Sequence, residues 1–269
     1  MSVERVLLTN DDGIDAAGLR ALYDSLAADY DVVAVAPTGD RSSVGRALSE
    51  DVDVADHELG YAVDGTPVDC VVAGLDALVP DADVVVAGCN EGANLGAYTL
   101  GRSGTVSAAV EAAFFDVPAV ATSMYVPGGD DWWKRELKPA EFAHAASATR
   151  YLVAEATATG AFDRVDYLNV NAPIADGEHD GPAPMRVTSP SPWYGMEAAH
   201  DGNGRVRFSD PIWGKMDAGD VPDPVGTDRR AVVDGEVSVS PLSVPHAAEP
   251  DAGIDELAAG YGRATETTR

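Results

Sequence analysis

The apolar residues change period along the chain, and the changes divide it into elements. Val6-Leu7-Leu8 reads as a short buried strand. Residues 16–29 then place Leu19, Leu22, Tyr23 and Leu26 at helical spacing. Val32-Val33-Ala34-Val35-Ala36 is a second buried strand, closed by Pro37. Thr66 stands as a helix N-cap with Pro67 at the first helical position, which predicts a helix over 68–79. Val84-Val85-Val86-Ala87 is a third strand, 104–115 a helix, and 118–122 a fourth strand. Pro139 opens a helix to about residue 159, followed by the apolar-polar run Leu168-Asn169-Val170-Asn171-Ala172. Continuous Val-rich strands alternating with helices predict an α/β fold, a mostly parallel sheet covered by helices on both faces. Such sheets bind ligands outside the carboxyl ends of their strands. Three of these strands run directly into polar or glycine-rich segments, at 10–13, 37–45 and 88–101.

From about residue 174 helical periodicity fades and Pro, Gly and Asp become frequent. Short alternating pieces remain, Arg205-Val206-Arg207-Phe208 and Val237-Ser238-Val239-Ser240. The pattern divides the chain into a core over 1–173 and a region of hairpins and extended arms over 174–248. The second region completes the domain and offers a subunit contact. A weakly patterned tail over 249–269 is expected to be helical at first and then disordered. There is no internal repeat and no low-complexity tract.

Composition changes this picture through charge. The 269 residues are 45% hydrophobic, enough for a sizeable core. They carry 45 Asp and Glu against 18 Lys and Arg, a net charge of −27. Only Lys134, Lys138 and Lys215 are lysines. No broad cationic patch is available for nucleic acid or for an anionic membrane surface. The acids are spread along the whole chain, so the charge is not that of an acidic tail. Such a charge self-repels in dilute salt and is screened in molar salt, which points to the cytoplasm of an organism that accumulates salt. Two cysteines, Cys70 and Cys89, do not make a secreted disulfide framework. The first apolar run is too short for a signal peptide, and no run reaches 18 apolar residues. The expected location is the cytoplasm.

Candidate chemistry lies at the strand ends. Asn10-Asp11-Asp12-Gly13 puts two adjacent carboxylates after the first strand. Adjacent carboxylates repel unless protons or a cation relieve them, and hard divalent cations take carboxylate oxygens. The same four residues are equally good turn sequence. After the second strand, Asp40-Arg41-Ser42-Ser43 offers a hydroxyl for a metal and an Arg for phosphate, or simply a polar loop. After the third, residues 88–96 bring three glycines and the amides of Asn90 and Asn94. Ser103-Gly104-Thr105 then opens a helix, where free N–H groups and hydroxyls suit an anion, or where Ser103 and Thr105 serve only as caps.

Two other patterns carry less. Asp51-Val52-Asp53-Val54 has the Asp-x-Asp-x shape of a haloacid-dehalogenase-type phosphatase, but no apolar strand precedes it. His57, His144, His179, His200 and His246 show no close metal-ligand spacing. Glu111, inside the helix opened by Gly104, reads as structural.

Taken in order, Leu8 to Gly13, Ala36-Pro37 with Arg41-Ser42, Gly65 to Cys70, Gly88 to Gly96 and Ser103 to Val106 resemble the SurE family of 5′-nucleotidases. The resemblance covers most of residues 4–124 and returns at Gly226-Thr227-Asp228 and over 237–242. It implies a Rossmann-like α/β core with C-terminal extensions exchanged between subunits, hence a homodimer or homotetramer. It also implies a phosphomonoesterase acting on nucleoside 5′-monophosphates with one divalent cation per subunit, Mg²⁺ or Mn²⁺. The family's metal ligands fall on Asp11, Asp12, Ser42 and Asn90, and its phosphate-proximal groups on Asn94, Ser103, Gly104 and Thr105. The chain departs from the family pattern at Ser43, at Ala93, and in a 96–103 loop one residue longer with Arg102 at its end. These departures leave the metal set intact and bear on substrate preference.

In the mechanism this implies, the cation polarises the phosphoryl group while Asn94 and the helix start hold the remaining oxygens. Asp11 or Asp12 serves as general base or as nucleophile. The rival reading is a non-catalytic nucleotide-binding module on the same fold. Paired carboxylates favour catalysis, since a phosphate-binding module gains nothing from them without a metal.

Overall fold

The computed structural model describes residues 3–128, 134–177 and 181–244. The first strands are β1 (Arg5–Thr9), β2 (Asp31–Pro37), β3 (Val54–His57), β4 (Gly60–Val63), β5 (Val84–Glu91), β6 (Ala119–Tyr125) and β7 (Tyr167–Pro173). Later come β8 (Met185–Val187), β9 (Glu197–His200), β10 (Val206–Ser209) and β11 (Val237–Leu242). The helices are α1 (Ala17–Leu26), α2 (Pro67–Ala73), α3 (Ala97–Leu100), α4 (Gly104–Phe114), α5 (Ala143–Ala158), α6 (Ile212–Asp217) and α7 (Asp228–Val233). Nine strands form one sheet in the order β3-β4-β2-β1-β5-β6-β7-β11-β8, and β9 and β10 form a separate hairpin. Strands β4, β2, β1, β5, β6 and β7 run parallel. The chain leaves β1 toward β2 on one side and returns to β5 on the other, so the order reverses at β1 and β5. A crevice opens at such a switch point.

The Val-rich runs divide their side chains between the two faces of the sheet, as the two-residue period of a strand requires. Val6, Leu8, Val84 and Val86 pack with Leu19, Leu22 and Leu26 of α1 and with Leu152 and Val153 of α5. Leu7 and Val85 pack on the opposite face with Val71 of α2 and Val106, Ala109 and Ala112 of α4. A third, smaller core joins Leu95 to Ile212, Met216 and Val232. Cys70 and Cys89 are both free and buried, and they belong to the cores on opposite faces of the sheet.

The expected N-cap of α2 is present as a capping box. Thr66 Oγ1 accepts from Asp69 N at 3.1 Å, and Asp69 Oδ2 accepts from Thr66 N at 2.7 Å. The helix expected over 68–79 divides there into α2 and a π-turn, Gly74–Leu78. Two features go beyond the sequence pattern. The β3–β4 hairpin forms one edge of the sheet, so Asp51 and Asp53 are exposed residues leading into an edge strand rather than leaving a buried one. The run at 237–242, expected among the arms, is a strand of the main sheet, antiparallel to β7. The run around Phe208 does form an exposed hairpin, β9–β10. The tail expected over 249–269, with His179 and His246, lies outside the described residues. Among the described residues no helix is long and apolar enough to cross a membrane.

Candidate active site

The site begins at the end of β1. Asn10 is fully buried and closes the turn through its side chain, donating from Nδ2 to Gly13 O at 2.8 Å and accepting from Gly13 N at 3.2 Å. The turn and the acidic pair are therefore one device, because the Asx turn orients the two carboxylates that follow it. Asp11 is buried and its Oδ1 accepts from Thr105 Oγ1 at 2.6 Å. Asp12 Oδ2 accepts from Glu91 N at 3.0 Å. Burial pushes the Asp11 carboxyl above the usual range, against the opposing pull of the Thr105 hydrogen bond. Burial, and after it the charge of Asp11, pushes Asp12 up to about 7. Among the described residues neither carboxylate has an ion-pair partner.

The loop after β2 is tied to this turn by Arg41 N, which donates to Asp11 O at 2.7 Å. The Arg41 side chain, which the sequence offered to phosphate, is committed to Asp64 Oδ1 at 2.7 Å and to Gly65 O at 3.3 Å. The Ser42 hydroxyl and N–H both donate to Asp40 Oδ1, at 2.6 and 2.7 Å.

β5 reaches the site through a bulge between Ala87 and Asn90, where its register against β6 shifts. Gly88 makes the bulge possible. Its φ is +131°, and a Cβ there would sit 2.1 Å from Thr122 O. Beyond the bulge, the Asn90 amide N–H donates to Gly92 O, which leaves the amide oxygen as the lone-pair side of that side chain. Asn94 is fixed from β7 and β6. Its N–H donates to Asn171 Oδ1 at 2.8 Å, its carbonyl accepts from Asn169 and Asn171 Nδ2, and its own Nδ2 donates to Ser123 Oγ. One of its two amide protons remains for a ligand.

α4 closes the site. Ser103 Oγ accepts from Val106 N at 3.0 Å as its N-cap, so the hydroxyl proton stays available. Thr105, a phosphate candidate from the sequence, spends its hydroxyl on Asp11. Gly104 packs directly on that carboxylate. A Cβ there would lie 2.8 Å from both Asp11 Cβ and Oδ2 and 3.1 Å from Pro67 Cγ. Gly104→Ala is therefore expected to displace Asp11 and to lower kcat by about tenfold to a hundredfold. Steady-state rates beside an unchanged circular dichroism spectrum check this.

Asp11, Ser42, Asn90, Asn94 and Ser103 line one cavity of about 860 Å³. Asp12, Gly104 and Thr105 stand around it, each through a neighbour named above. Among the described residues no three His, Cys, Asp or Glu side chains gather into a metal cluster. What gathers is two carboxylates with a hydroxyl and an amide oxygen. That set of hard oxygen donors, with one buried and one half-buried carboxylate lacking a counter-charge, fits a hard divalent cation that keeps water ligands.

Supporting residues beyond the sequence reading are Asn169, Asn171, Asp228 and Arg229. The alternation Asn169-Val170-Asn171 within a buried run was the available signal for the first two, since both fall on one face of β7. Asp228 is fully buried and accepts from Gly96 N at 2.6 Å and Ser191 N at 2.9 Å. Arg229, also buried, donates to Trp193 O at 3.2 Å and Leu95 O at 3.4 Å. Together they pin the segment that carries Asn94. Their contacts run from residue 95 to residue 229, which no local pattern shows.

A parallel sheet covered on both faces, with an acidic pair at its switch point beside a helix N-terminus, defines the class of α/β proteins that bind ligands outside the carboxyl ends of their strands. Within that class, the family described as Survival protein SurE matches residues 6–195, and the chain belongs to it. A relative from Natronomonas pharaonis, named 5′-nucleotidase SurE, is 60% identical over 95% of this chain and 99% of its own. Relatives of the same name from Haloarcula marismortui and Haloquadratum walsbyi are 59% and 57% identical, over 97% and 95% of this chain and 96% of each of theirs. All three organisms are halophilic archaea. The crystal structure of the SurE protein from Aquifex aeolicus superposes with a TM-score of 0.73 at 30% identity, covering 90% of this chain and 94% of that one.

Proposed function

We propose that the chain is a divalent-metal-dependent phosphomonoesterase that hydrolyses nucleoside 5′-monophosphates to nucleoside and phosphate. The observation that carries this reading is buried Asp11, beside half-buried Asp12, held by Thr105 at the start of α4 and lining a cavity. The name shared by the halophile relatives, 5′-nucleotidase SurE, supports the substrate class.

In this reading Asp11, Asp12, Ser42 and Asn90 hold the cation, Mg²⁺ or Mn²⁺. Bound there, it would draw charge from a phosphate oxygen and lower the pKa of a coordinated water. The Ser103 hydroxyl, the Gly104 N–H and the second amide proton of Asn94 receive the other phosphate oxygens as charge shifts onto them. Thr105 holds Asp11 in place. Asp11 or Asp12 takes the proton of an attacking water, and Asp11 Oδ2 packs against Gly104 at the helix start. The β9–β10 hairpin lines this cavity through Phe208, and its exposed Val206 would lie in a homodimer or homotetramer contact.

Phosphate release from AMP in molar KCl tests the activity. Release is expected with Mg²⁺ or Mn²⁺, abolished by EDTA and restored by excess metal. No release from protein shown to be folded in that salt would point instead to a nucleotide-binding module.

A further inference from the structure

The cavity is larger than a phosphate and a cation require. Its about 860 Å³ is the size of a pocket for a whole small-molecule ligand. Its lining includes Asp11, Asn90, Asn94 and Ser103, and with them Tyr98, Arg102, Phe208 and Trp213. Two of these are already stacked. The Arg102 guanidinium carbon lies 3.9 Å from the centroid of the Tyr98 ring. Tyr98 in turn meets Tyr194 edge-on, with centroids 4.6 Å apart and planes at 68°. The backbone of Arg102 is fixed as well, donating to Thr99 O at 2.9 Å and accepting from Gly45 N at 3.2 Å.

Arg102 forms no ion pair among the described residues, in a chain with 45 acidic side chains. Arg102 is exposed on the cavity wall, where a flat, weakly hydrated cation held on an aromatic ring offers a planar surface, and such surfaces stack on nucleic-acid bases. It also directly precedes Ser103, so this surface adjoins the place where phosphate would sit.

We propose that this part of the cavity is the base subsite, and that the base of a nucleoside monophosphate stacks on the Tyr98–Arg102 pair. The proposal rests on the hydrolysis reading above and names the part of the substrate that gives it specificity.

The test compares AMP with ribose 5-phosphate, which keeps the sugar and the phosphate and lacks the base. The wild-type protein is expected to prefer AMP in kcat/KM by about tenfold or more, the range that base stacking supplies. In Tyr98→Ala and in Arg102→Ala this ratio is expected to fall to within about threefold of unity. Tyr98→Phe, which keeps the ring, retains it. A ratio unchanged in both alanine variants, or no wild-type preference for AMP, overturns the proposal. Calorimetric titration with AMP and with ribose 5-phosphate in molar KCl reads the subsite without turnover. Tighter AMP binding that Tyr98→Ala removes, in protein that releases no phosphate, would sink the hydrolysis reading and leave the subsite standing. Equal binding of the two ligands by the wild-type protein would sink the subsite.

Discussion

Asp12→Ala is expected to lower metal-dependent phosphate release from AMP by about a thousandfold or more while leaving the fold in place. The carboxylate contributes half of the charge in the donor set, and no neighbouring side chain among the described residues replaces it. Among the described residues its one hydrogen bond from the backbone is from Glu91 N, so its removal disturbs little else. Asp11→Asn is expected to be inactive for a different reason. The amide keeps the contact with Thr105 but can neither accept the proton of the attacking water nor carry the charge. An Asp11→Asn protein that keeps wild-type kcat removes that carboxylate from the mechanism.

The same site predicts a pH dependence in EDTA. The Asp12 carboxyl is held at about 7 by burial and by Asp11, above its value in the unfolded chain. A raised acid contributes stability that is present below the unfolded pKa and is lost as pH rises through the folded one. Between about pH 4 and pH 7 the wild-type protein should therefore lose stability relative to Asp12→Asn, by up to about 4 kcal/mol. Saturating Mg²⁺ is expected to abolish the difference above pH 7, because a cation replaces the proton. Urea titrations of both proteins across that range measure it. Parallel stability curves without metal would show that the pair is not under strain.

Transfer from molar KCl to dilute buffer is expected to unfold the protein. A chain of 269 residues folds to a radius of gyration of about 18 Å. At 0.01 M salt the Debye length is about 30 Å, so every charge feels every other. At 1 M it is about 3 Å, and only immediate neighbours interact. With 45 acids against 18 bases, pairing every cation still leaves the net charge of −27. The ion pairs present, such as Arg5 with Asp31 and Asp81 or Arg150 with Asp29, join exposed side chains and contribute little. Salt weakens them too, so they oppose the expected trend without reversing it. Circular dichroism against KCl concentration should show a cooperative loss of structure as salt falls. A melting temperature independent of KCl would reject the screening argument.

The residues of the candidate site were largely legible in the sequence because each follows a strand directly. A parallel strand that ends in the core delivers its next residues to the crevice, so position marked the segments around Asp11, Ser42, Asn90 and Asn94 as candidates, and only the resemblance to the SurE family singled these residues out from turn and loop alternatives. Helix N-capping likewise fixed Ser103 at the start of α4. Polar partnership was harder to read. Arg41 and Thr105 look free for phosphate in the sequence, yet one pairs with Asp64 and the other holds Asp11. A side chain's choice among several nearby groups depends on distances that residue type does not carry.

Strand pairing divides in the same way. The strands β1, β2, β5 and β6 carry apolar runs that are buried on both faces of the sheet. The short strands β3, β4, β8 and β11 are mixed in character, and only the neighbours that cover them make them part of the sheet. The sequence by itself determined the α/β class, the strand ends that carry chemistry, the acidic pair and the charge that calls for salt, because each is local or a sum over the chain. Tertiary structure alone decided which polar groups are already spent and that Asn169, Asn171, Asp228 and Arg229 pin the Asn94 segment. It alone also brought the local Arg102–Tyr98 stack into the same cavity as Asp11, because that cavity joins residues far apart in the chain and exists only once the sheet has closed around them.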